Sequence, residues 1–206
     1  IGEENYKEFI METNITQNPK IELEEVGVPH KLKWNKCKLE TISYGHGITT
    51  TPLQATALYA AMINGGNIVT PSLIKERKTE NPKSIISFDT SIKLRNILRK
   101  VVSSKDGTAS LADKDGYYVG GKTGTAESYG DTKNRINTFI SVFPTNKPNY
   151  TLFVMLENPK INKDLIYNYR GIKTKAPFNT SGWNSVYVAG KIIEKIGPIL
   201  AINNKE

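Results

Sequence analysis

Apolar residues recur at helical spacing in three segments of the chain. Residues 53–63 are rich in alanine, residues 89–102 carry an apolar stripe among lysines and arginines, and residues 185–199 are amphipathic. Apolar positions three and four apart are typical of a helix that buries one face. Residues 5–11 are a shorter helical candidate. In the second segment the predicted stripe is Leu94, Ile97, Leu98, Val101 and Val102.

The alanine-rich segment also carries signals for both of its ends. Thr51 is a suitable N-cap, and Pro52 suits the first helical position because its missing N–H would have no helical partner there. Gly65 and Gly66 follow the apolar run, as is typical after a helix C-terminus. We therefore expect a helix from Pro52 to about residue 63.

Strand patterns dominate the second half of the chain. Residues 137–143 alternate partly, residues 150–156 form a continuous apolar run, and residues 144–148 between them form a short turn rich in proline and asparagine. Two such runs predict an antiparallel hairpin. Residues 117–126 are expected to extend into a further strand, and residues 158–182 are expected to form a loop. The predicted fold class is α+β, an antiparallel sheet flanked by helices.

Composition narrows the protein class. The 206 residues are 38% hydrophobic and 23% charged, which is ordinary for a folded soluble domain. Cys37 is the single cysteine, so an internal disulfide is excluded. The net charge of +8 favours anionic partners, but lysine outnumbers arginine 23 to 5, and base and phosphate recognition favours arginine. We therefore expect no nucleic-acid partner.

Two motifs share one lysine. Residues 116–123, Gly-Tyr-Tyr-Val-Gly-Gly-Lys-Thr, match the phosphate-binding pattern G-x-x-x-x-G-K-[ST], so a P-loop nucleotide-binding protein is an alternative. A phosphate-binding loop must open directly into a helix, whereas Tyr117, Tyr118 and Val119 favour a strand. The second motif is Lys122-Thr123-Gly124 on a strand, a signature of serine β-lactamases and penicillin-binding proteins.

The residues around Lys122 extend the second match over about residues 40–200. The matching segments are Gly45-His46-Gly47, Thr51-Pro52-Leu53-Gln54-Ala55, residues 59–66, Val101-Val102, Gly107-Thr108-Ala109, residues 120–126, Phe139, Pro144, Gly182-Trp183-Asn184 and residues 188–193. In these segments the chain resembles class B penicillin-binding proteins, and the Gly-Trp-Asn before the last helix is most similar to the septal, division-type branch of peptidoglycan D,D-transpeptidases.

The resemblance implies serine acyl transfer on D-Ala-D-Ala stem peptides, without a cofactor or metal. Lys122 would hold a positive charge against the substrate carboxylate, and the hydroxyls of Thr123 and Thr125 would donate hydrogen bonds to it. Gly124 would let the substrate lie along the strand as an added strand. The backbone N–H of Thr125 would be one of two oxyanion donors. Lys122 and Thr125 are thus the implied catalytic residues, and residues 122–125 the substrate-binding ones.

The nucleophile of the family is expected upstream of residue 1. The implied Ser-x-x-Lys and Ser-x-Asn motifs do not occur here in the family's order, so residues 1–206 are expected to be the C-terminal part of one transpeptidase domain. Ser72-Leu73-Ile74-Lys75 spells Ser-x-x-Lys, but it follows a proline in an apparently extended segment. Residues three apart on a strand point to opposite faces, so we interpret this match as fortuitous. We expect the isolated chain to be inactive.

The resemblance also implies partners and a location. Stem peptides and β-lactams are the implied ligands, and membrane proteins of the division machinery are further candidate partners. The parent protein would be anchored in a bacterial inner membrane with its catalytic domain in the periplasm. A second alternative is a non-catalytic interaction module that keeps this fold without its nucleophile. His46, between two glycines, is interpreted as a structural residue rather than a general base.

Overall fold

A computed structural model describes residues 2–75, 82–127 and 134–203 of the chain. The chain divides into two compact units, Ile1–Ile92 and Lys93–Glu206. The first unit contains helices α1 (Glu3–Glu12), α2 (Lys38–Ser43), α3 (Pro52–Ile63) and the first residues of α4 (Phe88–Ser103). The second unit contains the rest of α4, strands β1 (Gly120–Glu127), β2 (Arg135–Phe143), β3 (Tyr150–Glu157), β4 (Tyr167–Tyr169) and β5 (Ile172–Thr174), and helix α5 (Ser185–Asn203).

Helix α3 begins and ends where its sequence signals predicted. The Thr51 hydroxyl accepts a hydrogen bond from the Gln54 N–H at 3.1 Å, and Pro52 is the first helical residue. Gly65 and Gly66 follow with φ values of 105° and 101°, a region that strongly favours glycine. The predicted caps are therefore confirmed.

Helix α4 follows its predicted stripe except at one position. Val102 is buried and Leu94, Leu98 and Val101 are half-buried, whereas Ile97 is 57% exposed. On a helical projection Ile97 and Val102 lie at the two edges of the stripe, and of these two edges the one that carries Val102 is buried.

The strands β1, β2 and β3 form one antiparallel sheet in the order β1-β2-β3. Thr123 lies opposite Phe139, which in turn lies opposite Val154. Phe139 is fully buried, so this face of the sheet is the face that packs into the core. The predicted α+β class and the hairpin formed by β2 and β3 are confirmed.

Helix α5 packs against β2 and β3 and covers the core face of the sheet. It continues to Asn203, past the predicted end and past Pro198. The buried core of this unit comprises Val102, Ala109, Leu111, Ala112, Val119, Phe139, Phe143, Val154, Tyr167, Val186, Ala189 and Ile193.

The expectation of a plain loop at residues 158–182 is wrong. Strands β4 and β5 pair as an antiparallel hairpin there, and a 3₁₀ helix spans Ser181–Trp183. Arg170 and Gly171 form the hairpin turn with φ values of 53° and 83°. A two-residue turn with positive φ at both positions usually has the sequence Asn-Gly or Asp-Gly. Arg-Gly is not such a sequence, so the turn was not predicted.

Candidate functional site

Strand β1 places the Lys-Thr-Gly-Thr segment at an edge of the three-stranded sheet. One hydrogen bond shows which backbone groups of β2 point at β3. At the start of β2 the Asn158 N–H donates to the Arg135 carbonyl at 2.7 Å. Odd-numbered residues of β2 therefore direct their backbone groups at β3, and even-numbered residues direct theirs at β1.

This alternation fixes the backbone groups that β1 leaves for a ligand. Because even residues of β1 face even residues of β2, the backbone groups of Lys122 and Gly124 point at β2. The N–H and C=O groups of Thr123 and Thr125 point away from β2. Among the described residues that edge of β1 carries no further strand. The edge can accept an extended peptide at Thr123 and Thr125.

Lys122 is exposed and lies on the sheet face opposite to the one that carries the two threonine side chains. Its ammonium nitrogen nevertheless donates to the Thr123 carbonyl at 2.7 Å. Since that carbonyl points to the free edge, the lysine charge lies at the edge and not over the sheet face. Two of the three ammonium protons remain available for a ligand.

The two threonine side chains point to the core face, and each hydroxyl meets another hydroxyl. Thr123 Oγ1 lies 3.2 Å from Thr108 Oγ1, on the segment that follows α4. Thr125 Oγ1 lies 2.8 Å from Ser181 Oγ, in the 3₁₀ helix that precedes α5. The Ser181 hydroxyl also donates to the Gly124 carbonyl. These two supporting residues were not predicted, because 15 and 56 residues separate them from their partners.

Gly124 is a glycine for steric reasons that the sequence did not reveal. A Cβ built on Gly124 would overlap Thr138 Oγ1 of the neighbouring strand. Gly121 is equally constrained, since a Cβ there would lie 2.5 Å from the Phe139 ring and 2.6 Å from the Ile140 carbonyl oxygen. The small residues of β1 thus allow it to pack tightly against β2.

A cleft of about 390 Å³ opens beside Thr123 and Thr125. Trp183 forms one side of it and stacks on Tyr169 with ring centroids 5.1 Å apart. Beneath them, burial and the neighbouring Tyr187 raise the pKa of Tyr167, which keeps that phenol neutral. The lining residues are Lys105, Asp106, Gly107, Thr108, Thr123, Thr125, Tyr169, Thr180, Ser181, Gly182 and Trp183.

The phosphate-binding alternative has no support in this geometry. Lys122 and Thr123 lie inside strand β1, where that alternative requires the first turn of a helix. The backbone N–H groups of a strand alternate in direction, so they cannot converge on one phosphate.

Ser72 and Lys75 do not form a nucleophile–base pair. Both lie outside the helices, and Lys75 is exposed. The Ser72 hydroxyl donates instead to the Glu22 carboxylate at 2.7 Å. The interpretation of this Ser-x-x-Lys as fortuitous therefore agrees with its geometry.

His46 lies in a tight turn of the first unit. Its ring stacks on Tyr44 with centroids 6.2 Å apart, and its backbone N–H donates to the Thr41 carbonyl at 2.9 Å. These contacts are those of a turn residue.

Comparison with known proteins decides the family. A family model for the penicillin binding protein transpeptidase domain matches residues 1–181. The chain belongs to the penicillin-binding protein transpeptidase family. Among curated relatives it is 30% identical over its whole length to the probable peptidoglycan D,D-transpeptidase FtsI of Caulobacter vibrioides, of which it spans 36%. It is 34% identical to stage V sporulation protein D of Bacillus subtilis, with 78% of this chain and 27% of that protein aligned.

Solved transpeptidase structures share the fold. The transpeptidase domain of Burkholderia pseudomallei penicillin-binding protein 3 superposes with a TM-score of 0.75 at 21% identity, over 95% of this chain and 57% of that one. The α+β fold is thus that of penicillin-binding protein transpeptidases. The chain spans about a third of the length of the curated relatives named above.

The described residues contain neither a metal-binding cluster nor a membrane-spanning helix. No group of three or more histidine, cysteine, aspartate or glutamate residues among them is arranged to hold a metal ion. None of the helices in residues 2–75, 82–127 and 134–203 combines the length and the apolar character needed to cross a membrane.

Proposed function

We propose that this chain supplies the substrate-binding wall of a peptidoglycan D,D-transpeptidase. By substrate-binding wall we mean residues 122–125 and the free edge of β1 that they form. The observation that carries the proposal is the backbone of Thr123 and Thr125, directed away from β2 at an edge where the Lys122 ammonium also lies. Family membership and the names of the relatives support the same reaction.

In the proposed reaction a serine hydroxyl attacks the carbonyl carbon of the penultimate D-alanine of a stem peptide. The terminal D-alanine leaves as the amine, and the acyl group then passes from the serine to an amine of a neighbouring peptide. A hydroxyl needs an adjacent base for this attack. We propose that both groups belong to a part of the protein outside these 206 residues, so that the chain is the C-terminal part of one transpeptidase domain.

The wall would bind the substrate as an additional strand. The Thr125 carbonyl would accept a substrate N–H, and the Thr125 N–H would donate to the developing oxyanion. Loss of one such donor costs about 3 to 4 kcal/mol of transition-state stabilisation in comparable sites. Gly124 has no side chain to obstruct the approaching backbone.

Lys122 would provide the charge that selects a carboxylate. Its ammonium lies at the strand edge, where the terminal carboxylate of an added substrate strand would be placed. The Thr123 hydroxyl, next to it on the strand, would donate a hydrogen bond to the same carboxylate. β-Lactams carry an equivalent carboxylate and would occupy the same wall as covalent inhibitors, without a cofactor.

The division-type branch, the membrane anchor and the partners are further parts of the proposal. Similarity to a protein named FtsI supports a role in septal cell-wall synthesis, whereas similarity to a sporulation protein supports the broader family only. A bacterial inner-membrane location with a periplasmic catalytic domain follows from that role, and divisome membrane proteins are the corresponding partners.

The test is covalent labelling of the full-length protein by a fluorescent penicillin. Lys122→Ala should lower the second-order labelling rate on the order of a hundredfold, since a hydrogen bond to a charged group is lost. Lys147→Ala is the matched control, because Lys147 is exposed in the turn after β2 and should label normally. Normal labelling of the Lys122 variant would remove this residue from the wall. Absence of labelling in the unaltered protein would favour a non-catalytic module.

A further inference from the structure

One guanidinium group connects the end of strand β1 with one side of the cleft. Nε of Arg135 donates to the Glu127 carboxylate at 3.1 Å, and one terminal nitrogen of the guanidinium donates to the same oxygen. The other terminal nitrogen donates at 2.9 Å to the backbone carbonyl of Asn179. Arg135 thus binds two parts of the chain that lie far apart in the sequence.

The sheet register places this contact directly beyond the substrate-binding wall. Glu127 is the last residue of β1 and Arg135 the first residue of β2, and the two lie opposite each other. Side chains alternate along a strand, so both point to the core face that also carries the Thr125 side chain. Glu127 follows Thr125 by two residues, which is about 7 Å along the strand. Arg135 therefore lies next to the wall without belonging to it.

The other partner of Arg135 begins one side of the cleft. We call residues 179–184 the cleft segment, because four of them line the cleft. The Asn184 side-chain amide donates to the side-chain oxygen of Asn179 at 3.0 Å, which joins the two ends of the segment. The side-chain oxygen of Asn184 accepts the Ser185 N–H at 2.6 Å, at the start of α5. These hydrogen bonds fix the conformation of the cleft segment but not its position over the sheet.

The position over the sheet depends on contacts with β1 and β2. Ser181, in the middle of the cleft segment, contacts Gly124 and Thr125. Arg135 holds the first residue of the segment, Asn179. A segment that is held at one point can rotate about it, whereas a second point prevents that rotation. The contact with Arg135 supplies the second point.

The shape of an arginine side chain suits this connection. Its planar group carries five N–H donors in a fixed arrangement, so one side can bind a carboxylate while the other binds a carbonyl. A lysine ends in a single nitrogen on a flexible stem and lacks this rigid fork. The side chains of Arg135 and Glu127 are 37% and 52% exposed, so their ion pair alone contributes little to stability. The main consequence of the contact is geometric.

We propose that Arg135 is a positioning residue, which fixes the cleft segment relative to strand β1 so that the cleft beside Thr125 is formed before a ligand arrives. A ligand that enters a preformed cleft does not have to order this segment. The inference rests on the proposed function and adds to it a residue of the neighbouring strand, outside residues 122–125. In this role Arg135 touches neither the ligand nor the reacting atoms.

Amide hydrogen exchange of the full-length protein without ligand tests the positioning directly. The Trp183 N–H donates to the Thr180 carbonyl at 3.0 Å and the Asn184 N–H to the Ser181 carbonyl at 3.3 Å, so their exchange reports opening of the cleft segment. Arg135→Met and Arg135→Lys should both raise the exchange rate of these two amides about tenfold, because a hydrogen bond from a charged group is lost. Exchange in strand β3 should stay unchanged. Unchanged exchange of the two amides in Arg135→Lys would overturn the inference.

The rate of acylation by benzylpenicillin tests the consequence for the reaction. At a temperature well below the melting temperature of every variant, both Arg135 variants should be acylated about tenfold more slowly than the unaltered protein. Arg135→Lys separates positioning from charge, since it keeps a cation beside Glu127 but loses the second donor, which binds Asn179. A normal rate in Arg135→Lys would show that the charge is sufficient, and would also overturn the inference.

Arg99→Lys is the matched control for partial loss of an arginine's contacts. Arg99 likewise binds a carboxylate, that of Asp113, and a backbone carbonyl, that of Val119, and both partners lie outside the cleft segment. This variant should melt at a lower temperature but keep the acylation rate and the amide exchange of the cleft segment. An Arg135 variant that behaves in this way, with lower stability and a normal rate, would refute the positioning role. If no protein is acylated at all, the proposed function fails, and amide exchange still decides whether Arg135 fixes the cleft segment.

Discussion

Gly124 and Thr138 face each other across strands β1 and β2, and the threonine hydroxyl occupies the space that a side chain at residue 124 would need. The Thr138 hydroxyl also lies 3.3 Å from the Gly124 carbonyl oxygen and donates to it. The constraint on Gly124 therefore comes from inside the sheet as well as from the ligand side.

Gly124→Ala should consequently destabilise the protein before any substrate is bound. Forcing a methyl group into a packed position costs about 1 to 3 kcal/mol, so the melting temperature of the full-length protein should fall by several degrees. Thr138→Ala alone should have a smaller effect, and the double variant should recover much of the loss, because the obstructing hydroxyl is gone. An unchanged melting temperature in Gly124→Ala would contradict the steric account.

Arg99 is predicted to matter more for stability than the ion pair it forms. Its guanidinium donates to the Asp113 carboxylate at 2.8 Å and to the Val119 carbonyl at 2.7 Å, directly before β1. Asp113→Ala removes only a partly exposed ion pair, worth about 0 to 1 kcal/mol. Arg99→Ala also leaves the carbonyl of the fully buried Val119 without this donor, at a cost of about 1 to 3 kcal/mol.

Thermal melting of the two variants distinguishes these contributions. Arg99→Ala should melt several degrees lower than Asp113→Ala. Equal melting temperatures would mean that the contact with Val119 contributes nothing.

The isolated 206-residue chain should form no covalent adduct with a β-lactam. The Ser72 hydroxyl of its Ser-x-x-Lys donates to the Glu22 carboxylate. Lys75, which would have to be the base for Ser72, is exposed and lies outside the helices. Intact-mass spectrometry after incubation with benzylpenicillin measures the outcome. A stoichiometric adduct mapped to Ser72 would make this segment an enzyme in its own right.

The buried phenol of Tyr59 should make the stability of the protein depend on pH in the alkaline range. Burial raises its pKa, and its hydroxyl has no hydrogen-bond partner among the described residues. The unfolded phenol ionises near its ordinary pKa of 10, whereas the folded one stays neutral, so its contribution to stability is present below pH 10 and is lost as the pH rises above it.

Tyr59→Phe should therefore be neutral or stabilising at pH 7, because no hydrogen bond is lost, and should melt less readily than the unaltered protein at pH 11. Tyr44→Phe is the matched control, since Tyr44 is 73% exposed. A Tyr59 variant that loses stability at pH 7 would show that its hydroxyl does have a partner.

Local signals predicted the parts of the fold that depend on neighbouring residues. Thr51 and Pro52 determine the start of α3 within four residues of chain, and the turn after β2 joins two strands that pair with each other. The Lys-Thr-Gly-Thr segment was found in the same way, because its residues are consecutive. For these features the residues concerned lie close together in the sequence, so the sequence alone was sufficient to predict them.

The supports of the site could not be predicted, because they connect distant residues. Ser181 reaches Thr125 over 56 residues, and Thr108 reaches Thr123 over 15. In the sequence Ser181 and Thr108 cannot be distinguished from other loop residues. Only the fold brings their hydroxyls to the core face of β1. The hairpin of β4 and β5 escaped prediction for a different reason, since its Arg-Gly turn has positive φ values without the usual asparagine or aspartate.

The alternating direction of backbone groups along β1 makes the site sensitive to the length of the chain before it. The N–H and C=O groups of Lys122 and Gly124 point at the neighbouring strand, while those of Thr123 and Thr125 point at the open edge. Insertion or deletion of one residue between Gly120 and Lys122 would exchange the two sets and turn every threonine to the wrong side. A change of two residues would restore these directions but would move Gly124 away from Thr138, so the length of this stretch is constrained by the packing of β1 on β2 as well as by the alternation.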